Sequence, residues 1–132
     1  MEAGSKRWRA ELKRWDMSSA TYTVDSYRPE DPLCFEAWIT AHIGPVDNEG
    51  EEIFQFRVTT PEFLAVGLSD GAPQWMRHTL LVARYDPVAI RRALVEYLTR
   101  IDGQNWDELA TKVGRIAFWE FEDYLPFVEA QP

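Results

Sequence analysis

The residues of this chain that could bind zinc, or form a nucleophile with its base, are Cys34, His42 and His78. Zinc sites need such side chains in clusters, and a nucleophilic thiol needs a neighbour that lowers its pKa. These residues could meet only through the tertiary fold, and Cys34 begins an apolar segment without an evident activating group. The sequence therefore predicts no metal site, no cofactor and a structural, half-buried Cys34.

Carboxylates are the second kind of side chain that could do chemistry, and eight of them form three groups. The groups are Glu49, Glu51 and Glu52 beside a turn, Asp107 and Glu108 at a helix start, and Glu120, Glu122 and Asp123 towards the C-terminus. Paired carboxylates can act as acid and base or hold magnesium. However, a helix dipole also favours acids in the first turn. We predict that these acids bind a partner and that the protein is not an enzyme, with a small carboxylate-dependent enzyme as an alternative.

The charge balance narrows the class of partner. The 132 residues include 14 lysines and arginines and 22 aspartates and glutamates, for a net charge of −8. Nucleic acids and anionic membranes attract basic surfaces, so this acidic chain argues against both as partners. A basic protein partner fits, because opposite charges speed association, although solubility alone would also favour an acidic surface.

Length and composition predict one domain over residues 1–132, with residues 1–7 as an extension. The single cysteine excludes an intrachain disulfide, and no apolar run approaches the roughly 20 residues that span a bilayer. No signal segment is evident at the start of the chain. We therefore expect a protein of the reducing cytoplasm, and the sequence leaves its oligomeric state open.

Four segments have the pattern of β-strands: 8–15, 34–43, 51–59 and 75–85. Within 34–43 the apolar residues share one face, and Trp38 lies on the other face with the polar residues. Turn-forming residues separate the second and third segments, which predicts a hairpin. The run 80–83 is apolar on both faces, and this is typical of a central strand.

Helix signals follow the hairpin. Thr60 and Pro61 begin a short helical turn, Asp86 caps a long helix, and Asn105 caps a last one. Two apolar stripes have helical spacing: Ile90, Leu94, Tyr97, Leu98 and Ile101, and then Leu109, Val113 and Ile116. Gly103 is predicted to end the long helix in the left-handed conformation. The fold class is therefore α+β, a mainly antiparallel four-stranded sheet with two C-terminal helices packed on one face.

The segment 119–124 alternates aromatic and acidic residues. In a strand, Trp119 and Phe121 would pack inward and the acids would face solvent. The segment could therefore anchor the last helix to the sheet, or offer an acidic, aromatic surface to a basic protein, and these two roles are compatible.

Several stretches, in this order, resemble the immunity protein 8 family of bacterial polymorphic toxin systems. The stretches are Arg9–Lys13, Ile43–Pro45 with Gly50–Phe54, Thr60–Pro61 with Arg77–His78, and Asn105–Glu108 with Trp119–Tyr124. The resemblance spans nearly the whole chain, apart from the first eight residues and the tail after Tyr124. Thr59 stands where the family pattern leads us to expect a cysteine, so no role for a thiol is carried over.

The resemblance implies a cytoplasmic protein that protects its producer by binding a cognate toxin, without enzyme activity or cofactor. It does not supply binding residues, because partner surfaces in such families vary. The acidic composition adds the expectation that the toxin is basic. A non-catalytic adaptor or regulatory subunit remains the alternative among binding proteins.

Overall fold

The computed structural model describes residues 6–19 and 21–122. Its elements follow the chain in the order β1 Ala10–Met17, β2 Glu36–Pro45, β3 Glu52–Thr59, α1 Pro61–Gly67, β4 Thr79–Leu81, α2 Pro87–Arg100, α3 Trp106–Val113 and β5 Phe118–Trp119. None of the helices in these two ranges is long and apolar enough to cross a membrane.

The strands form one mixed sheet in the order β1-β2-β3-β4. β1, β2 and β3 are antiparallel neighbours, and β4 runs parallel to β3. The outer edge of β3 is shared, because β5 pairs with Phe54 and Gln55 while β4 pairs with residues 57–59. The predicted α+β class, with a mostly antiparallel sheet and two C-terminal helices, is confirmed.

The alternation of β2 and β3 places the core on one face of the sheet. Ile39, Ala41, Phe54 and Val58 are completely buried on this face. The apolar stripes of α2 and α3 cover it with Ile90, Leu94, Leu98, Leu109 and Val113. The predicted caps are also present, because Asp86 accepts from the backbone N–H groups of residues 88 and 89, and Asn105 accepts from that of Glu108.

β1 has a bulge, so its apolar side chains do not alternate strictly along the strand. The pairing of β1 with β2 shifts register between Leu12 and Arg14. A bulge adds one residue to its strand, so the faces exchange beyond it. Ala10 and Leu12 therefore face the core before the bulge, whereas Trp15 and Met17 face it afterwards.

The predicted central strand over residues 75–85 is wrong in both length and position. The strand covers only Thr79–Leu81 and lies at the end of the sheet order. His78 has a positive φ of 55°, which interrupts extended backbone just before the strand. Leu80 packs against the core and Leu81 is exposed, so the apolar run is buried on one face only.

Gly103 is required for a different reason from the one predicted. α2 ends at Arg100 with Ile101 extended, and Gly103 has no left-handed φ. Instead, a Cβ at this position would lie 3.0 Å from the backbone nitrogen of Leu109. The backbone of Gly103 also exchanges two hydrogen bonds with Trp8. Close approach of three chain segments, rather than a turn conformation, therefore requires glycine here.

Candidate partner-binding surface

The carboxylate of Glu52 joins three elements. Its Oε1 accepts hydrogen bonds from Nε1 of Trp106 at 2.7 Å and from Nε1 of Trp119 at 2.9 Å. A single carboxylate oxygen of Glu52, on β3, therefore binds the first residue of α3 and the last residue of β5. Both indoles are half-buried, so this acid satisfies donors that solvent reaches poorly.

The other two acids of the hairpin, Glu51 and Glu49, differ in their contacts with the rest of the protein. Glu51 lies 3.0 Å from the guanidinium of Arg14 and 3.3 Å from Nδ1 of His42. Glu49 is exposed and has no ion pair or side-chain hydrogen bond with the described residues. Of the three hairpin acids, Glu49 is thus the one that is free to meet a partner without breaking an internal contact.

Asp107 and Glu108 lie in the first turn of α3, as predicted. Oε1 of Glu108 is 3.8 Å from both the Arg7 and the Lys112 side-chain nitrogens. Arg7 is closer to Asp102, and this hydrogen bond lowers the pKa of the Asp102 carboxyl. The carboxylate of Asp107 is exposed and makes no ion pair or hydrogen bond with the described residues.

Two of the acids that follow β5, Glu120 and Glu122, contact the rest of the protein. Glu120 Oε1 accepts from the backbone N–H of Ile53 at 2.9 Å, and its own backbone N–H donates to the Ile53 carbonyl. Glu122 forms an ion pair with Arg77 at 2.5 Å. Asp123 lies outside the described residues.

The aromatic residues of this segment do not alternate as a longer strand would. Trp119 stacks on Phe54 and is half-buried, whereas Phe121 is exposed and its ring lies edge-on to Trp119. The strand has ended by Glu120, so the inward position expected for Phe121 in a strand does not arise.

The structure brings only some of the predicted site residues together. Glu51, Glu52 and Glu120 surround the N-terminal end of β3, and Asp107 follows the Trp106 that Glu52 binds. Glu122 is held apart by Arg77, and Glu108 is oriented towards Arg7 and Lys112. We call the group of Glu49, Glu51, Glu52, Asp107 and Glu120 the acidic end.

Cys34 and the two histidines are in structural environments. Burial raises the pKa of the Cys34 thiol, which disfavours the nucleophilic thiolate. Nε2 of the buried His78 lies 2.6 Å from the carbonyl oxygen of Gly114, and burial lowers the pKa of the His78 ring. Within residues 6–19 and 21–122, no cluster of three potential metal ligands occurs.

The sheet face opposite the helices carries a second candidate surface, which the partner-binding residues predicted from the sequence did not include. We call it the open face and define it by Ser18, Trp38, Thr40, Gln55, Arg57 and Phe118. The rings of Trp38 and Phe118 lie 6.1 Å apart, and each residue is 38% exposed. The alternation of β2 already placed Trp38 on this face, but nothing in the sequence showed that Phe118 would join it.

The comparison with known families identifies the chain. The family model described as Immunity protein 8 matches residues 10–124. The chain belongs to the immunity protein 8 family. No curated protein and no solved structure is significantly similar to it.

The stretches that resemble the immunity protein 8 family meet inside this structure. Glu52, from the stretch Gly50–Phe54, binds Trp106 of one later stretch and Trp119 of another. Arg77 pairs with Glu122, and His78 reaches Gly114. These family-like residues thus join the sheet to the C-terminal elements.

Proposed function

We propose that this protein neutralises a cognate bacterial toxin by binding it in an equimolar complex. Membership of the immunity protein 8 family is the observation that carries the proposal. The carboxylates of Glu51, Glu52 and Glu120 are each held by internal donors, which leaves them poorly placed to act as a catalytic acid or base. We place this binding in the cytoplasm of the producer, where the lone cysteine would remain reduced.

The partner in this proposal is a basic toxin, and the predicted acids face it. The acidic residues Glu49, Glu51, Glu52, Asp107, Glu108, Glu120, Glu122 and Asp123 form the attracting surface. Between residues 101 and 132, seven acids are accompanied by only Lys112 and Arg115. Because long-range attraction needs charge rather than direct contact, acids with internal partners still contribute to the field.

Complex formation with the toxin encoded beside this protein tests the proposal. The two purified proteins should form a complex whose mass corresponds to one copy of each, measured by light scattering after size-exclusion chromatography. Association should slow as salt is raised, since electrostatic steering speeds encounter by about 10–10³-fold at low ionic strength. The two proteins should be mixed at a concentration at which this protein protects cells from the toxin. If they still elute separately at that concentration, the proposal is contradicted.

Charge variants test which acids contribute. The variant Glu49→Gln, Asp107→Asn removes two carboxylates without internal partners and should mainly slow association. The variant Glu120→Gln, Glu122→Gln, Asp123→Asn tests the C-terminal acids in the same way, with folding measured separately. Association and dissociation rates equal to those of the wild type at low salt would exclude the corresponding group.

A further inference from the structure

The centre of the open face is preorganised. The ring of Phe118 packs in a T-shaped arrangement against the buried His78, with ring centroids 4.1 Å apart, and the guanidinium of Arg77 lies 5.6 Å from the centroid of Phe118. Beside the aromatic pair, the hydroxyls of Ser18 and Thr40 are 2.8 Å apart, and the Gln55 amide donates towards both. Side chains that are already ordered lose little conformational freedom when a partner binds.

A groove of about 760 Å³ runs along this centre. Its walls include the aromatic residues Tyr27, Trp38 and Phe118. Of the described residues that line the groove, Glu36 alone is charged. Oε2 of Glu36 accepts from Nη1 of Arg57 at 2.9 Å, whereas Oε1 has no hydrogen-bond donor among the described residues. Aromatic faces and a carboxylate oxygen together attract a cationic side chain.

The sheet face that carries the groove continues to Glu51 and Glu120 of the acidic end. Along β2, the open face passes from Trp38 through Thr40 to His42, which lies beside Glu51. On β3 it passes from Gln55 to Ile53, whose backbone N–H binds Glu120. Glu51 and Glu120 therefore border the side of the sheet that carries the aromatic pair, whereas Glu52 and Asp107 lie on the side that α3 covers. A protein attracted by Glu51 and Glu120 would meet Trp38 and Phe118 on the same side of the sheet.

We propose that the groove on the open face is the anchor site for the toxin and receives a lysine or arginine side chain from it. The inference rests on the proposed function and adds the surface and the partner chemistry to it. Interfaces commonly place aromatic residues at a neutral centre within a charged rim, and a few such residues carry most of the binding energy. Here Trp38 and Phe118 form the centre, and the ion pairs Glu36–Arg57 and Arg77–Glu122 lie around it.

Trp38→Ala tests the anchor directly, with the toxin encoded beside this protein as the binding partner. The variant should raise the Kd by at least about tenfold, mostly through faster dissociation. Trp8→Ala is the matched control, because Trp8 is 36% exposed and lies beside Gly103, away from the open face. The control should remain within about twofold of the wild type, a difference smaller than the effect expected of an anchor residue. Equal effects of the two substitutions would overturn the proposal.

Gln55 provides a test of charge that leaves Trp38 in place. Gln55→Arg puts a cation in the groove and should weaken binding by at least about tenfold, whereas Gln55→Glu should preserve or strengthen it. Equal weakening by both variants, or the opposite order, would overturn the assignment of a basic side chain. Circular dichroism and urea denaturation establish that each variant is folded.

The outcomes separate the anchor from the proposed function. If the wild type does not bind the toxin, the proposed function fails. If the wild type binds and both the Trp38 and Gln55 variants bind equally well, only the anchor fails. A dimer of the free protein that Trp38→Ala dissociates would assign the groove to a second copy and would also overturn the proposal.

Discussion

Glu52 accepts a hydrogen bond from the indole of Trp119, although 67 residues separate them in the chain. The same carboxylate oxygen accepts from Trp106, so this single side chain ties β3 to both C-terminal elements. An acid that the sequence suggests as a partner contact is therefore also a structural residue. Substitutions at the acidic end will affect stability and binding to different extents, and each effect must be measured separately.

Glu52→Ala should destabilise the protein by about 1–3 kcal/mol. The substitution leaves two half-buried indole N–H groups without their acceptor, and unsatisfied donors have a cost of this order. Urea denaturation measures the free energy of unfolding. Glu49→Ala is the control, since this exposed acid lacks an internal partner and should change stability by less than about 0.5 kcal/mol. Similar losses in the two variants would show that Glu52 does not hold these indoles.

Leu94→Ala should cost about 2–5 kcal/mol, because it opens a cavity between α2 and the sheet. Leu94 is buried on the face that α2 turns to the core, and its neighbour Val95 is 36% exposed. Val95→Ala should therefore cost clearly less in the same denaturation experiment. A loss below about half a kcal/mol for Leu94→Ala would contradict burial at this position.

Gly103→Ala should be destabilising by about 1–3 kcal/mol, because its Cβ would press on the backbone of α3. Gly50 offers a matched control, since a Cβ there would lie at an ordinary van der Waals distance, 3.9 Å, from Oδ1 of Asn48. Thermal unfolding of both alanine variants compares the two positions. If the Gly103→Ala variant were as stable as the Gly50→Ala variant, the backbone segments that meet at Gly103 would be able to move apart without a loss of stability.

His78 should make the protein less stable as pH falls. Burial lowers the pKa of folded His78 below its ordinary value of 6.5, so the folded state resists protonation there. As pH falls through about 6.5, the unfolded chain gains this proton first, and unfolding becomes more favourable until folded His78 also titrates.

The comparison with His78→Asn isolates this contribution, because asparagine tolerates the positive φ at this position. Denaturation between about pH 7.5 and 5.5 should show a smaller loss of stability in the variant than in the wild type. His42→Asn is the control and should retain the pH dependence due to His78. Parallel curves for the wild type and His78→Asn would exclude this role.

The sequence predicted the elements whose pattern depends on local chemistry. The alternation of β2 and β3, the stripes of α2 and α3, and the caps Asp86 and Asn105 are all present. Each depends on residues within a few positions of one another, so a single segment contains the required information. The structure departs from the pattern where distant contacts decide the outcome, as for β4, Gly103 and the bulge of β1.

The candidate surface was only partly predictable for the same reason. The alternation placed Trp38 on the solvent side of β2, but its neighbour Phe118 comes from β5, 80 residues away. Likewise, the acidic composition indicated a basic partner, whereas only tertiary structure shows that Glu52 and Glu120 are already hydrogen-bonded. Composition identifies the charge of a surface, and the fold determines which charges are free.

Titration of toxin activity with this protein tests the central claim most directly. The toxin encoded beside it is held at a fixed concentration well above the Kd, and its residual activity is measured as the protein is added. Equimolar binding predicts a linear loss of activity that ends at about one protein per toxin. Complete inactivation by a small fraction of an equivalent, progressing with time, would contradict the claim because it would mean catalytic turnover.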